Sequence, residues 1–236
     1  MYEPVGPMSV VRPSRLLRGC TFLTVLLVPT SGSTRGADAA RRAAARCSQR
    51  VAVSVVKLSV GVLRCHVRAA SLSLRGKDFS EEPCENPPRA RYDAATARHA
   101  GCPACLDAVT IGDRTMSDAD SIAGGAIYCD PRSGRHIGDD TAFLPADRAT
   151  AKCENRVSAN LGVLLRAAYK CRRLAAKAQL KSQPFDEAGC EASAKVGFDA
   201  ANAALTGCPA CLDAPALGAD MLSDVAVMSM RIFCAQ

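Results

Sequence analysis

The thirteen cysteines of this 236-residue chain are the residues whose spacing most suggests chemistry. Four of them form two Cys-Pro-Ala-Cys motifs, Cys102 with Cys105 and Cys208 with Cys211. In thioredoxin-like proteins a Cys-x-x-Cys pair with a lowered thiol pKa drives disulfide exchange. Such a pair stands in a βαβ unit, whereas each motif here follows a predicted helix and a glycine. Structural cystines are the preferred interpretation, and a thiol–disulfide oxidoreductase that uses the two motifs is an alternative.

Zinc binding and haem attachment are two further uses of a Cys-x-x-Cys motif. Each half of the chain carries one such motif, and no histidine occurs at the same aligned position in both halves. The ligand set of a zinc knuckle is therefore incomplete. A c-type haem requires histidine after the second cysteine, where Leu106 and Leu212 stand. We therefore expect no metal and no cofactor.

The cysteine pattern occurs twice along the chain. Adding 106 to five cysteine positions of the first half gives five of the second, and the sixth pair is offset by 105. The sequence Gly-Cys-Pro-Ala-Cys-Leu-Asp-Ala stands at residues 101–108 and again at 207–214. A fixed internal offset indicates duplication of one structural unit. The matched positions are Cys47 and Cys153, Cys65 and Cys171, Cys84 and Cys190, Cys102 and Cys208, Cys105 and Cys211, and Cys129 and Cys234.

The histidines are not shared between the two copies. His66 aligns with Arg172, His99 aligns with Leu205, and His136 falls between the copies. We interpret them as exposed or satisfied side chains rather than as a site. The sequence also has no Gly-x-Ser-x-Gly elbow, no phosphate-binding glycine loop and no His-Glu-x-x-His motif. No catalytic residue is assigned.

Two pairs of repeated acids, Asp93 with Asp199 and Asp107 with Asp213, suggest paired carboxylates. Asp107 and Asp213 follow a predicted helix-ending turn, where aspartate commonly bonds to the local backbone. Backbone bonding is the preferred interpretation for that pair.

Residues 51–63 are rich in valine, which favours a strand, but the second copy favours a helix for the same segment. Positions that are apolar in both copies recur at spacings of 4, 3, 4 and 3, the period of one helical face. These positions are Val51, Val55, Leu58, Val62 and Cys65, and in the second copy Val157, Leu161, Leu164, Ala168 and Cys171. We therefore expect the first helix of each copy here.

Two further helices are predicted in each copy. The second begins near Cys84 or Cys190, with Pro87 and Pro88 in its first turn, and ends at a glycine. The third follows Gly112 or Gly218. The glycines that would end the second helix are Gly101 and Gly207, and the apolar stripe of the last helix is Met221, Val225, Met228 and Ile232, ending at Cys234. The predicted fold is mainly α, with two tandem disulfide-stapled three-helix modules after a signal peptide.

If the first two helices of a copy form an antiparallel hairpin, the cysteines at their facing ends coincide. This arrangement pairs Cys65 with Cys84, and Cys47 with Cys102 or Cys105. It leaves the remaining cysteine of the motif for Cys129, so that each copy is closed by its own bonds. Six cysteines allow fifteen connectivities, and the sequence does not choose among them.

The N-terminus has the layout of a secretory signal peptide. Arg12, Arg15 and Arg18 precede an apolar stretch at residues 20–28, and small residues follow as far as Ala39. The stretch is too short to span a bilayer. Predicted boundaries are a signal peptide at residues 1–39, module 1 at 40–129, a connector at 130–149 and module 2 at 150–236. Cys20 is discarded with the signal peptide, which leaves twelve cysteines in an exported, secreted or periplasmic protein.

The pattern Cys-x17-Cys-x18-Cys-x17-Cys-Pro-Ala-Cys-Leu-Asp-Ala, with a final aromatic residue before the last cysteine, resembles tandem cysteine-rich helical repeats of predicted exported bacterial proteins. That group has no assigned activity, so the resemblance implies a scaffold. The modules also resemble saposin-like domains, which are helical, of this size and have six cysteines. This second resemblance implies a lipid or membrane binder as an alternative function.

Removal of residues 1–39 discards four Arg, one Glu and one Asp, and lowers the formal net charge from +7 to +5. Lys and Arg are mixed with Asp and Glu along the helices, which is typical of a solvated surface rather than a nucleic-acid groove. We expect a structural or protein-binding module with an envelope or extracellular protein partner and no nucleic-acid partner. A membrane surface is the weaker expectation.

Overall fold

The computed structural model describes residues 34–98, 102–138 and 141–234, and most of these residues are helical. Within the described residues the β-structure is limited to one antiparallel bridge between His136 and Phe143. The predicted mainly α fold with two disulfide-stapled three-helix modules is confirmed. The helices are α1 (Thr34–Ser73), α2 (Glu82–Thr96), α3 (Ala108–Ile122), α4 (Arg148–Leu180), α5 (Glu187–Ala203) and α6 (Ala214–Ile232).

The valine-rich segment lies inside the 40-residue helix α1. Every position of the predicted stripe is buried in both α1 and α4, from Val51 to Cys65 and from Val157 to Cys171. Valine lowers helix propensity only slightly, and burial of an apolar face supplies most of the stability of a helix in a protein. The packing therefore outweighs the β-preference of single residues.

Helix α2 begins earlier than its prolines suggested. It starts at Glu82, so Pro83 stands at its start and Pro87 and Pro88 lie inside the helix, beyond the first turn. The prediction that both prolines lie in the first turn is therefore wrong. Pro88 is buried against Gly61 of α1, where a Cβ atom would come within 2.7 Å of the Pro88 Cβ. This close approach brings α2 directly onto α1.

Helices α3 and α6 also begin earlier than predicted, before Gly112 and Gly218 rather than after them. The Asp107 carboxylate accepts hydrogen bonds from the backbone N–H groups of Val109 and Thr110 and caps α3. Asp213 caps α6 in the same way. The predicted backbone role of these two acids is confirmed, and it is their capping that sets the helix starts.

The two glycines lie inside α3 and α6 and receive aromatic rings. A Cβ atom at Gly112 would lie 2.6 Å from the ring of Tyr92, and one at Gly218 would lie 2.7 Å from the ring of Phe198. The Tyr92 hydroxyl also donates to the Ala108 carbonyl at 2.7 Å. Because Gly112 and Gly218 have no Cβ atom, the second and third helices of each copy can approach closely.

The predicted helix ends are only partly recovered. Helix α5 ends at Ala203, before Gly207, whose φ of +74° lies in the left-handed region that favours glycine. Gly101 lies outside the described residues. Helix α3 continues into a π-helical turn, Ala123–Ile127, and α6 ends just before Cys234.

The two copies share one continuous hydrophobic core. A Cβ atom at Gly162 of α4 would lie 3.4 Å from Val60 of α1, and the Asn155 side-chain amide donates to the Ser71 hydroxyl at 3.1 Å. From the first contact to the second, the residue number increases along α1 and decreases along α4. The two long helices therefore run antiparallel. Helices α1, α3, α4 and α6 together line a small apolar cavity of about 40 Å³.

The predicted connector packs closely on the rest of the fold where it is described. Its 3-10 turn is capped by Asp130, and Ile137 and Ala142 are buried. The backbone N–H of Phe143 donates to the Tyr128 carbonyl at 2.7 Å, which fixes the segment beside the end of the first copy. No helix among the described residues is long and apolar enough to cross a membrane.

Candidate functional site

Four of the six disulfides lie within one copy, two in each, and they have equal spacing in the two copies. Two span 19 residues and two span 55 residues. The hairpin arrangement predicted from the sequence is confirmed for Cys65 with Cys84, and Cys102 is the motif cysteine that pairs with Cys47. The four bonds are Cys65–Cys84, Cys171–Cys190, Cys47–Cys102 and Cys153–Cys208.

The other two disulfides cross from one copy to the other. Cys105 of the first copy pairs with Cys234 of the second, and Cys129 pairs with Cys211. The prediction that Cys129 pairs within its own copy is wrong. In each copy the cysteine that follows the third helix bonds to the motif of the other copy, so the exchange is reciprocal. Six disulfides are typical of proteins in an oxidising compartment.

Neither Cys-Pro-Ala-Cys motif forms an internal cystine. Cys102 and Cys105 are bonded to cysteines 55 and 129 residues away, and Cys208 and Cys211 are arranged in the corresponding way. Disulfide exchange by a Cys-x-x-Cys motif cycles between a dithiol and a bond within the motif. The geometry thus favours the interpretation of these cysteines as structural.

A histidine and two glutamates meet in the interior of the first copy. His66 of α1, Glu81 at the cap of α2 and Glu85 of α2 are all buried, with 5% or less of each side chain exposed. The His66 Nδ1 atom lies 2.6 Å from Glu81 Oε1 and 4.0 Å from Glu85 Oε1. One ligand atom from each of the three residues lies within 4.8 Å of the other two. We call these three residues the histidine–glutamate cluster.

The surroundings of this cluster disfavour negative charge. Burial raises the pKa of Glu85 to about 8, with the nearby carboxylates of Asp120 and Glu81 acting in the same direction and His66 against it. The ring of Tyr128 stacks on the His66 ring with centroids 6.2 Å apart. Gly138 of the connector lies against Glu81, since a Cβ atom there would be 3.2 Å from Glu81 Oε2. The cluster is therefore covered on the side of the connector.

The second copy holds a corresponding cluster with a different basic residue. Arg172, which aligns with His66, pairs with Glu187 and with Glu191, and its Nε lies 2.7 Å from Glu191 Oε1. These glutamates align with Glu81 and Glu85. The second cluster is partly exposed, with 23% of the Arg172 side chain accessible. A basic side chain beside two glutamates is thus a feature of both copies.

His66 was not predicted as a site residue, because the residue at its position in the second copy is not histidine. A signal was present in the residues that follow the disulfide cysteines. His66 follows Cys65, Glu85 follows Cys84, and the bond between those cysteines brings the next residue of each helix together. The identity of Glu85 and Glu191 at equivalent positions, combined with a basic residue at both opposite positions, is what would have indicated the cluster.

A second buried carboxyl group, that of Glu154 on α4, is fully inaccessible, and neither of its oxygens has a hydrogen-bond partner among the described residues. Burial raises its pKa to about 8, with Asp130 and Asp147 acting in the same direction and Arg132 against it. The Tyr128 hydroxyl nearby donates to the Asn155 side-chain oxygen at 2.7 Å. The aligned residue of the first copy is Ser48, so this acid belongs to one copy only.

The remaining residues singled out in the sequence are surface features. His136 packs against the Phe143 ring at 4.4 Å in the connector, and His99 lies outside the described residues. Asp93 pairs with Arg89 one helical turn earlier, and Asp199 pairs with Lys195 in the same way. Both of these acids therefore form ion pairs within their own helix.

A groove with a basic rim lies between α1, α2 and α4, with a volume of about 530 Å³. Its floor includes the buried side chains of Val60, Pro88 and Tyr92. No acidic residue is among the described residues that line it. We call it the basic groove, and its four exposed basic residues are Lys57, Arg64, Arg91 and Arg166.

Comparison of the chain with protein-family models, with curated proteins and with solved structures gave no match. The fold and the bonds define the class of protein: a cysteine-rich, disulfide-bonded, all-helical protein. A characteristic feature of this protein is the reciprocal pair of disulfides that joins the two halves of the chain.

Proposed function

We propose that this chain is an exported helical scaffold without catalytic activity of its own, which binds an acidic segment of a protein partner outside the cytoplasm. The observation that carries the proposal is the basic groove. Its rim holds four cations, and none of them forms an ion pair with a carboxylate of the described residues. An apolar floor with a rim of a single charge sign suits an extended segment that carries acidic and apolar side chains.

The groove is held in shape before any partner arrives. The Cys65–Cys84 bond fixes α2 to α1 beside Arg64, and the contact between Gly61 and Pro88 sets the separation of the two helices. Lys57 and Arg64 are seven residues apart on α1, which places them on one face about 10 Å apart. Binding to a rigid groove loses less conformational entropy than binding to a flexible one.

Three of the four charges of the groove do not follow from the repeat, since only Arg64 aligns with a basic residue, Lys170. The residues of the second copy that align with Lys57 and Arg91 are Val163 and Gly197, and Arg166 aligns with Val60. A scaffold role alone would place no such difference between the copies. The basic rim therefore supports a function confined to one side of the molecule.

Export is part of the proposal. Six cystines form in an oxidising compartment, and residues 1–39 have the layout of a signal peptide. Cleavage after Ala39 would remove the first turns of α1, in which residues 36–39 are exposed. N-terminal sequencing of the protein recovered outside the cytoplasm should give Ala40. An intact N-terminus with reduced cysteines would contradict export.

The binding test uses a fluorescein-labelled decaglutamate peptide as a probe and fluorescence anisotropy as the measurement. We expect the double substitution Lys57→Glu and Arg64→Glu to weaken binding by about 10-fold or more, since each reversal replaces an attraction by a repulsion. The matched control is Lys170→Glu with Lys177→Glu, which changes the net charge equally at exposed positions of α4 outside the groove. The control should change binding by less than about 3-fold, in line with the small effect of surface charges remote from the site.

Equal loss of binding in both double variants would contradict a localised site. Anionic phosphatidylglycerol vesicles are the second probe, because a membrane surface is the rival partner. Binding of vesicles by the wild type without binding of the peptide would replace the protein partner by a membrane.

A further inference from the structure

We infer that the histidine–glutamate cluster is a structural binding site for a divalent transition-metal ion, with Zn²⁺ as the fitting ion and His66, Glu81 and Glu85 as the ligands. The proposal is independent of the basic groove. It also departs from the expectation, drawn from the cysteine spacing, that the chain binds no metal.

The donor set is the first argument. One imidazole nitrogen and two carboxylate oxygens are ligands that Zn²⁺ accepts, at bond lengths of about 2.0–2.2 Å. In a tetrahedral site of those bond lengths, neighbouring ligand atoms lie about 3.3 Å apart. The separations here, 2.6 Å from His66 to Glu81 and 4.0 Å from His66 to Glu85, lie on either side of that value. Small side-chain rotations would equalise them.

An unsatisfied oxygen is the second argument. The Glu85 Oε1 atom is buried, and no hydrogen-bond donor among the described residues satisfies it. Burial of a polar atom without a partner is unfavourable. A divalent cation bound beside His66 Nδ1, 4.0 Å away, would coordinate this oxygen.

The second copy is the third argument. There the guanidinium of Arg172 occupies the place between the two glutamates and contacts both of them. The repeat thus keeps a basic residue at this position, and in the first copy the permanently charged guanidinium is replaced by the smaller imidazole. A metal ion bound beside the imidazole would supply the positive charge that the guanidinium supplies in the second copy.

The burial of the ligands indicates a structural rather than a catalytic ion. His66 is fully buried, the Tyr128 ring covers it, and Gly138 lies against Glu81. At most 5% of any of the three ligand side chains is exposed, which disfavours contact of such an ion with a substrate. Binding would join α1 to the start of α2 through His66, Glu81 and Glu85.

The test uses the untagged, oxidised protein after treatment with a chelator. Zn²⁺ alone is titrated against it by calorimetry and by competition with a chromophoric chelator, and zinc content is measured after dialysis. We expect one equivalent of zinc per chain and a higher melting temperature with zinc. Loading with Co²⁺ should give visible absorption from nitrogen and oxygen ligation without the strong charge-transfer band of thiolate ligands, because the cysteines are bonded.

The variant Glu85→Gln keeps the shape of the side chain and removes its charge. It should weaken zinc binding by about 100-fold or more, since it takes away a ligand rather than a neighbour of one. The matched control is Glu191→Gln at the equivalent position of the second copy, which should still bind one equivalent with unchanged affinity. His66→Arg copies the arrangement of the second copy and should bind none.

Retention of six cystines and of helical circular dichroism establishes that each variant is folded. If His66→Arg does not fold, the zinc affinity of Glu85→Gln, compared with that of the wild type, is the test. Wild-type protein that binds no zinc, or Glu85→Gln that binds as well as wild type, would overturn the proposal.

Discussion

Cys105 in the first half of the chain is bonded to Cys234, the last cysteine of the second half, with Cα atoms 5.9 Å apart. Its counterpart is the bond between Cys129 and Cys211, with Cα atoms 6.0 Å apart. The third helix of each copy is thereby tied to the motif that precedes the third helix of the other. Together with the continuous core, these bonds make the two copies one structural unit rather than two tethered domains.

Removal of one crossing bond should lower stability without unfolding the protein. For the mature protein with Cys105→Ser and Cys234→Ser, we expect the free energy of unfolding to fall by about 4 kcal/mol. The loop is effectively about 50 residues long, because the Cys129–Cys211 bond shortens it. Urea unfolding measures the change.

The same variant gives a count of free thiols. If the crossing bonds exist, alkylation under denaturing conditions finds no free cysteine, because Cys129 and Cys211 remain bonded to each other. Bonds confined to each copy would instead have left Cys129 and Cys211 as two separate thiols. Recovery of two alkylated cysteines at those positions would contradict the pairing.

The contact between Gly218 and Phe198 should make Gly218→Ala destabilising. The new Cβ atom would lie 2.7 Å from a ring that is 4% exposed, so the ring or α6 has to move. We expect a loss of about 1–3 kcal/mol in the free energy of unfolding, the usual range for overpacking. Gly197→Ala on α5 is the control, because nothing lies within 4 Å of its Cβ position.

Gly197→Ala should raise stability by up to about 1 kcal/mol, since alanine favours a helix over glycine. Equal effects of the two substitutions in chemical denaturation would show that the contact with Phe198 does not limit position 218.

The Glu154 carboxyl group should make stability fall as the pH rises. Its pKa is about 8 in the folded protein, against 4.5 for an ordinary glutamate, so the folded state keeps the proton longer than the unfolded state. The stabilisation is complete below about pH 4.5 and is lost as the pH rises through about 8, with a total of roughly 3–5 kcal/mol. Unfolding free energies at pH 5 and pH 8.5 measure it.

Glu154→Gln cannot ionise and should lose less stability than the wild type between those two pH values. Asp220→Asn, at an exposed position of α6, serves as the control and should leave the pH dependence as it is in the wild type. A pH dependence that Glu154→Gln does not reduce would show that this carboxyl group is not responsible for it.

The Asp213 side chain caps α6 by accepting from the backbone N–H of Ala216 at 3.0 Å. Asp213→Ala should lower the free energy of unfolding by about 1 kcal/mol, the usual effect of removing an N-cap. Asp213→Asn, which can still accept the bond, should restore most of the loss. A thermal scan in which the alanine and asparagine variants melt together would argue against capping.

Helix identity and the local bonds were predictable because they depend on short-range patterns. The stripe that begins at Val51 repeats in the second copy, and Cys65 and Cys84 stand at facing ends of a hairpin. The crossing bonds were not predictable, because the two copies carry the same cysteine pattern. That pattern is equally compatible with a bond from Cys105 to Cys129 and with a bond from Cys105 to Cys234. Only the antiparallel packing of α1 on α4, which depends on the whole surface of both helices, decides between them.

The histidine–glutamate cluster was hidden for a related reason. His66 and Arg172 are different residue types that share only the capacity for positive charge. Burial separates their chemistry, and in the first copy the connector contributes to that burial, since Gly138 lies against Glu81. Glu154 has no counterpart, since Ser48 stands at its position in the first copy.

The most direct test of the shared unit is a single cut between the copies. A protease site inserted between Gly134 and Arg135, both exposed in the connector, separates the cysteines into the two halves when it is cleaved. On a denaturing gel without reductant, the cleaved protein should migrate as one species, and it should separate into two fragments only after reduction. Two fragments without reductant would show that each copy is closed by its own bonds and would contradict the reciprocal exchange.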